Sequence, residues 1–154
     1  MRSTIVTAPR CSAASRHPRP VPDQVRVALL DSAAIYHRGV ELLVDTTDGL
    51  EWAGATTSPS DMLSLCEFAP PHVLLVDSAL DPEFQLTRLV SARRWWTAVV
   101  VLARTPADRA QAARARQDGA LGWIDRDCAT GELLAAIRTT LAGEIAEISP
   151  ARAC

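Results

Sequence analysis

The stretch Pro71-His72-Val73-Leu74-Leu75-Val76-Asp77-Ser78 limits the folds open to this chain more than any other. Side chains of a strand alternate between its two faces, so an unbroken apolar run such as Val73–Val76 is apolar on both. Such a strand must be covered from both sides, as in parallel sheets whose crossover helices lie above and below. The run ends in one carboxylate, Asp77, followed by small and turn-forming residues. Open α/β sheets hold their chemistry in the crevice outside the carboxyl ends of the strands. A buried strand therefore delivers Asp77 to that rim.

The same alternation of strand and helix signals runs from Val25 onward. Val25–Leu30 reads as a first strand ending at Asp31, and Ala34–Val44 as a helix with Ile35, Val40, Leu42 and Leu43 on its apolar face. Glu51–Ala55 is a short second strand. Ser58-Pro59-Ser60-Asp61 then opens a helix with Ser at the N-cap, Pro at the first helical position and an acid at the third. Met62, Leu63, Leu65, Cys66 and Phe68 carry its apolar positions to Pro70. After the strand to Asp77 comes a helix over Phe84–Arg94 with Phe84, Leu86, Leu89 and Val90 inward. Thr97–Leu102 is a fourth buried strand. Thr105-Pro106-Ala107-Asp108 repeats the capping pattern before an Ala/Arg-rich helix ending near Gly119. Leu121–Ile124 is a fifth strand and Thr130–Leu141 a closing helix. These β-α units predict an α/β fold, a five-stranded parallel sheet with right-handed crossovers. The flavodoxin-like strand order 2-1-3-4-5 sets the ends of strands one and three side by side, bringing Asp31 and Asp77 together. Two neighbouring carboxylates need a cation or a shared proton, and Arg104 and Arg126, just past strands four and five, supply positive charge.

The rest of the chain bounds the function. Residues 1–23 mix Arg, Ser, Ala and Pro without apolar periodicity and read as a disordered extension; residues 24–144 form the domain and 145–154 a tail. A net charge of −2 disfavours nucleic-acid binding by bulk charge. No apolar run approaches the roughly 18 residues of a membrane span. Cys11, Cys66, Cys128 and Cys154 lie far apart without metal-finger spacing, which suits free thiols in a reducing cytoplasm. All sixteen basic side chains are arginine.

Val-Arg-Val-Ala-Leu-Leu-Asp31, Pro-His-Val-Leu-Leu-Val-Asp77, Ala-Val-Val-Val-Leu-Ala103 and Asp-Gly119-Ala-Leu-Gly122-Trp123-Ile-Asp-Arg126-Asp127, in this order and spacing, resemble a response-regulator receiver domain over residues 25–143. His37-Arg38-Gly39-Val40, the Gly-Trp-Ile-Asp-Arg-Asp ending and Leu141-Ala142-Gly143-Glu144 resemble the branch with a LuxR-type helix-turn-helix output. The resemblance implies that Asp77 stands at the position phosphorylated by a histidine kinase. It also implies that Asp31 and Asp77 stand at Mg²⁺-ligand positions.

Four departures from the family pattern set the expectation for this copy. Receivers present two adjacent acids after strand one; here they are Asp31 and Ser32, and a neutral hydroxyl is a poor substitute for a carboxylate toward Mg²⁺. The family's Thr or Ser after strand four falls at Ala103, which has no donor for phosphoryl oxygens. The family's switch aromatic falls at Trp123, a bulky ring expected to stay packed. The family's lysine falls at Arg126, whose planar fork is not equivalent. Phosphoryl transfer depends on positioning and charge neutralisation, and these changes weaken both. The expectation is a non-enzymatic, degenerate receiver with a weakened or lost Mg²⁺ site and no other cofactor. It would act in the cytoplasm, in signal transduction and transcription regulation, through a protein partner or a homodimer. An Arg126–Asp77 ion pair would stand in for the phosphorylated charge arrangement. A working phosphoacceptor served by a histidine kinase and a small-molecule-sensing pocket are the alternative readings. A haloacid-dehalogenase-type nucleophile is disfavoured because Ala79 stands where that family has a second Asp. Ile148-Ser149-Pro150-Ala151-Arg152 resembles the opening of a LuxR-type DNA-binding domain; without a recognition helix, direct DNA binding by these residues is not expected.

Overall fold

The structure, a computed structural model, describes residues 22–93, 95–104, 109–142 and 146–147. Strands and helices alternate as β1 (Val25–Leu30), α1 (Ala34–Asp45), β2 (Leu50–Thr56), α2 (Pro59–Phe68), β3 (Val73–Asp77) and α3 (Gln85–Ala92). They continue as β4 (Ala98–Ala103), α4 (Arg109–Gln117), β5 (Gly122–Asp125), α5 (Thr130–Leu141) and a two-residue β6 (Ala146–Glu147). The sheet is parallel throughout, in the order β2-β1-β3-β4-β5-β6. The expected 2-1-3-4-5 order is present, and β6 extends it within the stretch read as tail. Most of residues 1–23, the capping pattern at 105–108 and residues 148–154 lie outside the described residues.

Alternation along the central strands explains why their sequences show no polar period. Val27 and Leu29 of β1, Val73 and Leu75 of β3, and Val100 and Leu102 of β4 face one core layer, with Val40 and Val44 of α1 and Leu133 and Ile137 of α5. Ala28, Leu30, Leu74, Val76 and Val99 face the other, with Met62 and Cys66 of α2 and Leu86 and Val90 of α3. Both faces are dry, so these strands are apolar apart from Arg26 in β1 and Asp77 at the end of β3. A third cluster beneath α4 joins Phe84, Val101, Ala103, Ala115, Ala120 and Trp123.

Local chemistry sets the helix starts. Ser58 caps α2, accepting from the Asp61 N–H, with Pro59 at the first helical position. In α5 the Glu132 carboxylate reaches back to the Ala129 N–H at 3.1 Å. In α3 the cap comes from further back in the chain: buried Asp81 accepts from the N–H groups of Leu86 and Thr87 and from the Thr87 hydroxyl.

Three helix faces differ from the sequence expectation. In α1 the inward stripe is Tyr36, Val40, Leu43 and Val44, whereas Ile35 is 86% and Leu42 58% exposed. Both readings are apolar at helical spacing, and the sheet selects the one that continues to Val44. Phe68, at the C-terminal end of α2, is 93% exposed. Helix α3 begins at Gln85, because Phe84 takes a left-handed conformation (φ 53°) that buries its ring against Trp123 and leaves Leu89 half-exposed. Trp95 packs against the α2/α3 core layer, while Trp96 is exposed.

Candidate functional site: two carboxylates neutralised by two arginines

The parallel register sets the ends of β1, β3, β4 and β5 along one rim. The Asp31 N–H bonds to Thr56 of β2, Ser78 N–H to Leu102 of β4, and Arg126 N–H to Ala103 of β4. Asp31 and Asp77 are fully buried there. Each closes a tight turn by accepting the N–H two residues on, Asp31 from Ala33 at 2.7 Å and Asp77 from Ala79 at 3.1 Å.

Each carboxylate also holds one guanidinium. Arg126 donates Nε to Asp31 Oδ2 at 2.8 Å and Nη2 to Oδ1 at 2.9 Å, a bidentate fork. Arg104 donates Nε to both oxygens of Asp77, at 2.9 and 3.0 Å, and Nη2 to Oδ2 at 2.5 Å. The same Nη2 donates to Ser32 Oγ at 3.0 Å. The expected Arg126–Asp77 pair is therefore replaced by a crossed arrangement. Arg104, which follows the strand adjacent to β3, has saturated Asp77. Arg126 is drawn toward α1 by Tyr36, whose ring centroid lies 4.1 Å from the guanidinium carbon and whose hydroxyl donates to the Arg126 carbonyl at 3.0 Å.

The electrostatics follow this pairing. Burial would raise the Asp31 pKa, but the Arg126 hydrogen bonds, the Ala33 N–H and the charges of Arg126 and Arg104 outweigh it and hold the pKa below the usual carboxylate range. Hydrogen bonding to Asp77 raises the pKa of Arg104, and hydrogen bonding to Asp31 raises that of Arg126. Burial pushes the Tyr36 phenol up to about 12, keeping it a donor at neutral pH. Cys128 nearby is a free thiol pushed up to about 11 by burial, which disfavours the reactive thiolate.

The other positions singled out in the sequence lie around this pair. Ser32 borders the pocket and contributes one hydroxyl. Ala103 is buried beside Phe84 and Trp123, so its methyl belongs to the α4 cluster and not to the pocket. Trp123 is packed edge-on against Phe84, with ring centroids 6.4 Å apart. Tyr36 and Asp81 were not singled out. Tyr36, five residues past Asp31 on the apolar face of α1, carried a faint signal; Asp81 is bound by residues five and six positions on, beyond ordinary capping spacing. Among the described residues, no group of three or more His, Cys, Asp or Glu side chains is placed to hold a metal ion.

Comparison with solved structures bears on this rim and sheet. The chain superposes with a TM-score of 0.74 on a LuxR-family two-component response regulator from an Aurantimonas species, at 22% identity over 82% of this chain and 91% of that one. It has the receiver fold. The signal receiver domain of the response regulator NarL from Mycobacterium tuberculosis matches at TM-score 0.70 and 23% identity, over 80% of this chain and all of that one. A LuxR-family DNA-binding response regulator from Silicibacter pomeroyi matches at TM-score 0.65 and 25% identity, over 80% and 96% of the two chains. No protein-family model matches the sequence, and no curated protein is significantly similar to it. In this receiver fold Asp77 ends the third strand and Asp31 the first, side by side through the β1–β3 pairing. No helix among the described residues is long and apolar enough to cross a membrane.

Proposed function

We propose that this protein is an atypical receiver that acts in cytoplasmic two-component-type signalling and transcription regulation by protein–protein interaction, with a partner or a second copy, without aspartyl phosphorylation. One observation carries the reading: both rim carboxylates are neutralised by the chain's own guanidinium groups. A Mg²⁺ ion requires near-octahedral oxygen ligands and binds through carboxylates with several of its own waters. Here the carboxylates of Asp31 and Asp77 are engaged by arginines, and the third oxygen near them is the neutral hydroxyl of Ser32, which accepts from Arg104. These residues do not fit the ion. Phosphoryl transfer to Asp77 also lacks an open line of attack, because a guanidinium covers both carboxylate oxygens. Positioning and charge neutralisation are what phosphoryl transfer requires; in this pocket both are committed to a resting ion-pair arrangement.

The reading supports a constitutive shape whose surfaces, not its pocket, carry the signal. Calorimetric titration of the purified protein with Mg²⁺ tests it: no saturable binding is expected at millimolar ion. Tight binding of one Mg²⁺ that disappears in Asp77→Asn would overturn the reading in favour of a working phosphoacceptor.

A further inference from the structure

The two arginines are not equivalent, and their difference points to a ligand. Arg126 is built in: its side chain is only 16% exposed, its guanidinium lies over Tyr36, its N–H bonds to Ala103 and its carbonyl accepts from Tyr36. Arg104 has a side chain 39% exposed and no aromatic platform among the described residues; its side-chain bonds are to Asp77 and Ser32. Asp77 beneath it is fully buried, and the Arg104 guanidinium bonds to both of its oxygens.

We propose that Asp77 and Ser32 form a slot for an arginine side chain with an exchangeable occupant: Arg104 at rest, and an arginine of a partner protein when the partner docks. This rests on the reading that the pocket is served by guanidinium and not by Mg²⁺, and it names the chemistry by which a partner would be recognised. The slot's acceptors are two carboxylate oxygens and one hydroxyl. Oδ1 is partly satisfied by the Ala79 N–H. A planar fork with five donors satisfies these acceptors from one side, as Arg104 shows. An ammonium lacks the fork, and Mg²⁺, which demands near-octahedral geometry and dehydrates reluctantly, gains here one carboxylate and a neutral hydroxyl. Arg104 is tethered within a side chain's reach of the slot, so its effective concentration there is at least the roughly millimolar value that short flexible linkers give. A single free guanidinium therefore competes only above that value, while a docked partner presents its arginine at comparable local concentration. Displacement releases the Arg104 side chain, while the end of β4 stays paired through the Leu102 and Ala103 carbonyls.

The test uses the full chain with Arg104→Ala and the side-chain analogues methylguanidinium and N-acetyl-arginine amide. Both are expected to raise the melting temperature of Arg104→Ala saturably, by a few degrees, and to leave Arg104→Ala/Asp77→Asn unmoved. Methylammonium and Mg²⁺ are expected to give less than a tenth of that shift. Equal stabilisation by Mg²⁺, or no shift by either guanidinium compound, would overturn the slot; wild-type Mg²⁺ binding separately tests the reading beneath it. Should Arg104→Ala fold poorly, the Arg104 Nε–Hε resonance of the wild-type protein gives the same answer. It should move toward the free-arginine position as methylguanidinium rises above millimolar concentration. A resonance that stays fixed contradicts exchange.

Discussion

Arg126 shows how one residue type changes the physics of a pocket. A lysine ammonium is a compact charge that satisfies one direction at a time, whereas the guanidinium both forks onto Asp31 and stacks on Tyr36. Removing one partner of such a buried pair leaves an uncompensated charge. Arg126→Ala should therefore cost about 3 kcal/mol or more, measured by urea unfolding. Arg126→Lys should recover only part of that loss, because neither the fork nor the stacking returns; full recovery would show that net charge alone matters. The pH dependence has a definite sign. The Asp31 pKa in the folded protein lies below its unfolded value, so the associated stability is fully present above pH of about 4 and is lost as pH falls through the lower folded value. Asp31→Asn should flatten the acid limb of a stability–pH curve, and an unchanged limb would contradict the assignment. At this scale the sequence was only partly legible. The apolar runs identified Asp31 and Asp77, and the positions after strands four and five identified both arginines. Which arginine serves which carboxylate depends on the ring of Tyr36, contributed by a helix on another strand's crossover, and no spacing along the chain encodes that.

The elements around the pocket hold it through close contacts on the α3–α4 side. Gly119, after α4, has φ +106°, and a Cβ there would stand 2.4 Å from the Ser91 Cβ of α3. The Ser91 hydroxyl donates to the Gly119 carbonyl, and Arg88 of α3 forks onto Asp118. Gly119→Ala should destabilise by about 2 kcal/mol through both strain and overlap. Ser91→Gly in the same background should return the overlap part while leaving the backbone part, which a double-mutant cycle by thermal unfolding measures. Asp81 is the matching device at the start of α3, where Phe84 leaves the cap position in a left-handed conformation. Asp81→Ala should cost about 1–2 kcal/mol and raise amide exchange in the first turn of α3. The Ser58-Pro59 start of α2 was plain in the sequence because its cap is local. The start of α3 was not, since its carboxylate comes from four residues before the helix and its geometry depends on Phe84 turning into the α4 cluster. The exposed Ile35, Leu42 and Phe68 mark the same limit: an apolar residue at helical spacing reports an amphipathic helix, but the sheet beneath decides which stripe is covered.

For the whole molecule, topology does most to make the site. A parallel sheet in the order 2-1-3-4-5, read from the doubly covered strands, sets the ends of β1 and β3 side by side and puts two carboxylates at one rim before any side chain is considered. The added β6 and the crossed ion pairs are refinements on that plan. The resulting pocket retains the aspartate at the third strand's end but is internally neutralised, with the receiver fold kept around it. Intact-mass spectrometry after incubation with acetyl phosphate and Mg²⁺ tests this most directly. No added phosphoryl group should appear on the wild-type protein under conditions that fully modify a working receiver. A stoichiometric, Mg²⁺-dependent phosphoryl adduct on wild type that is absent from Asp77→Asn would contradict it.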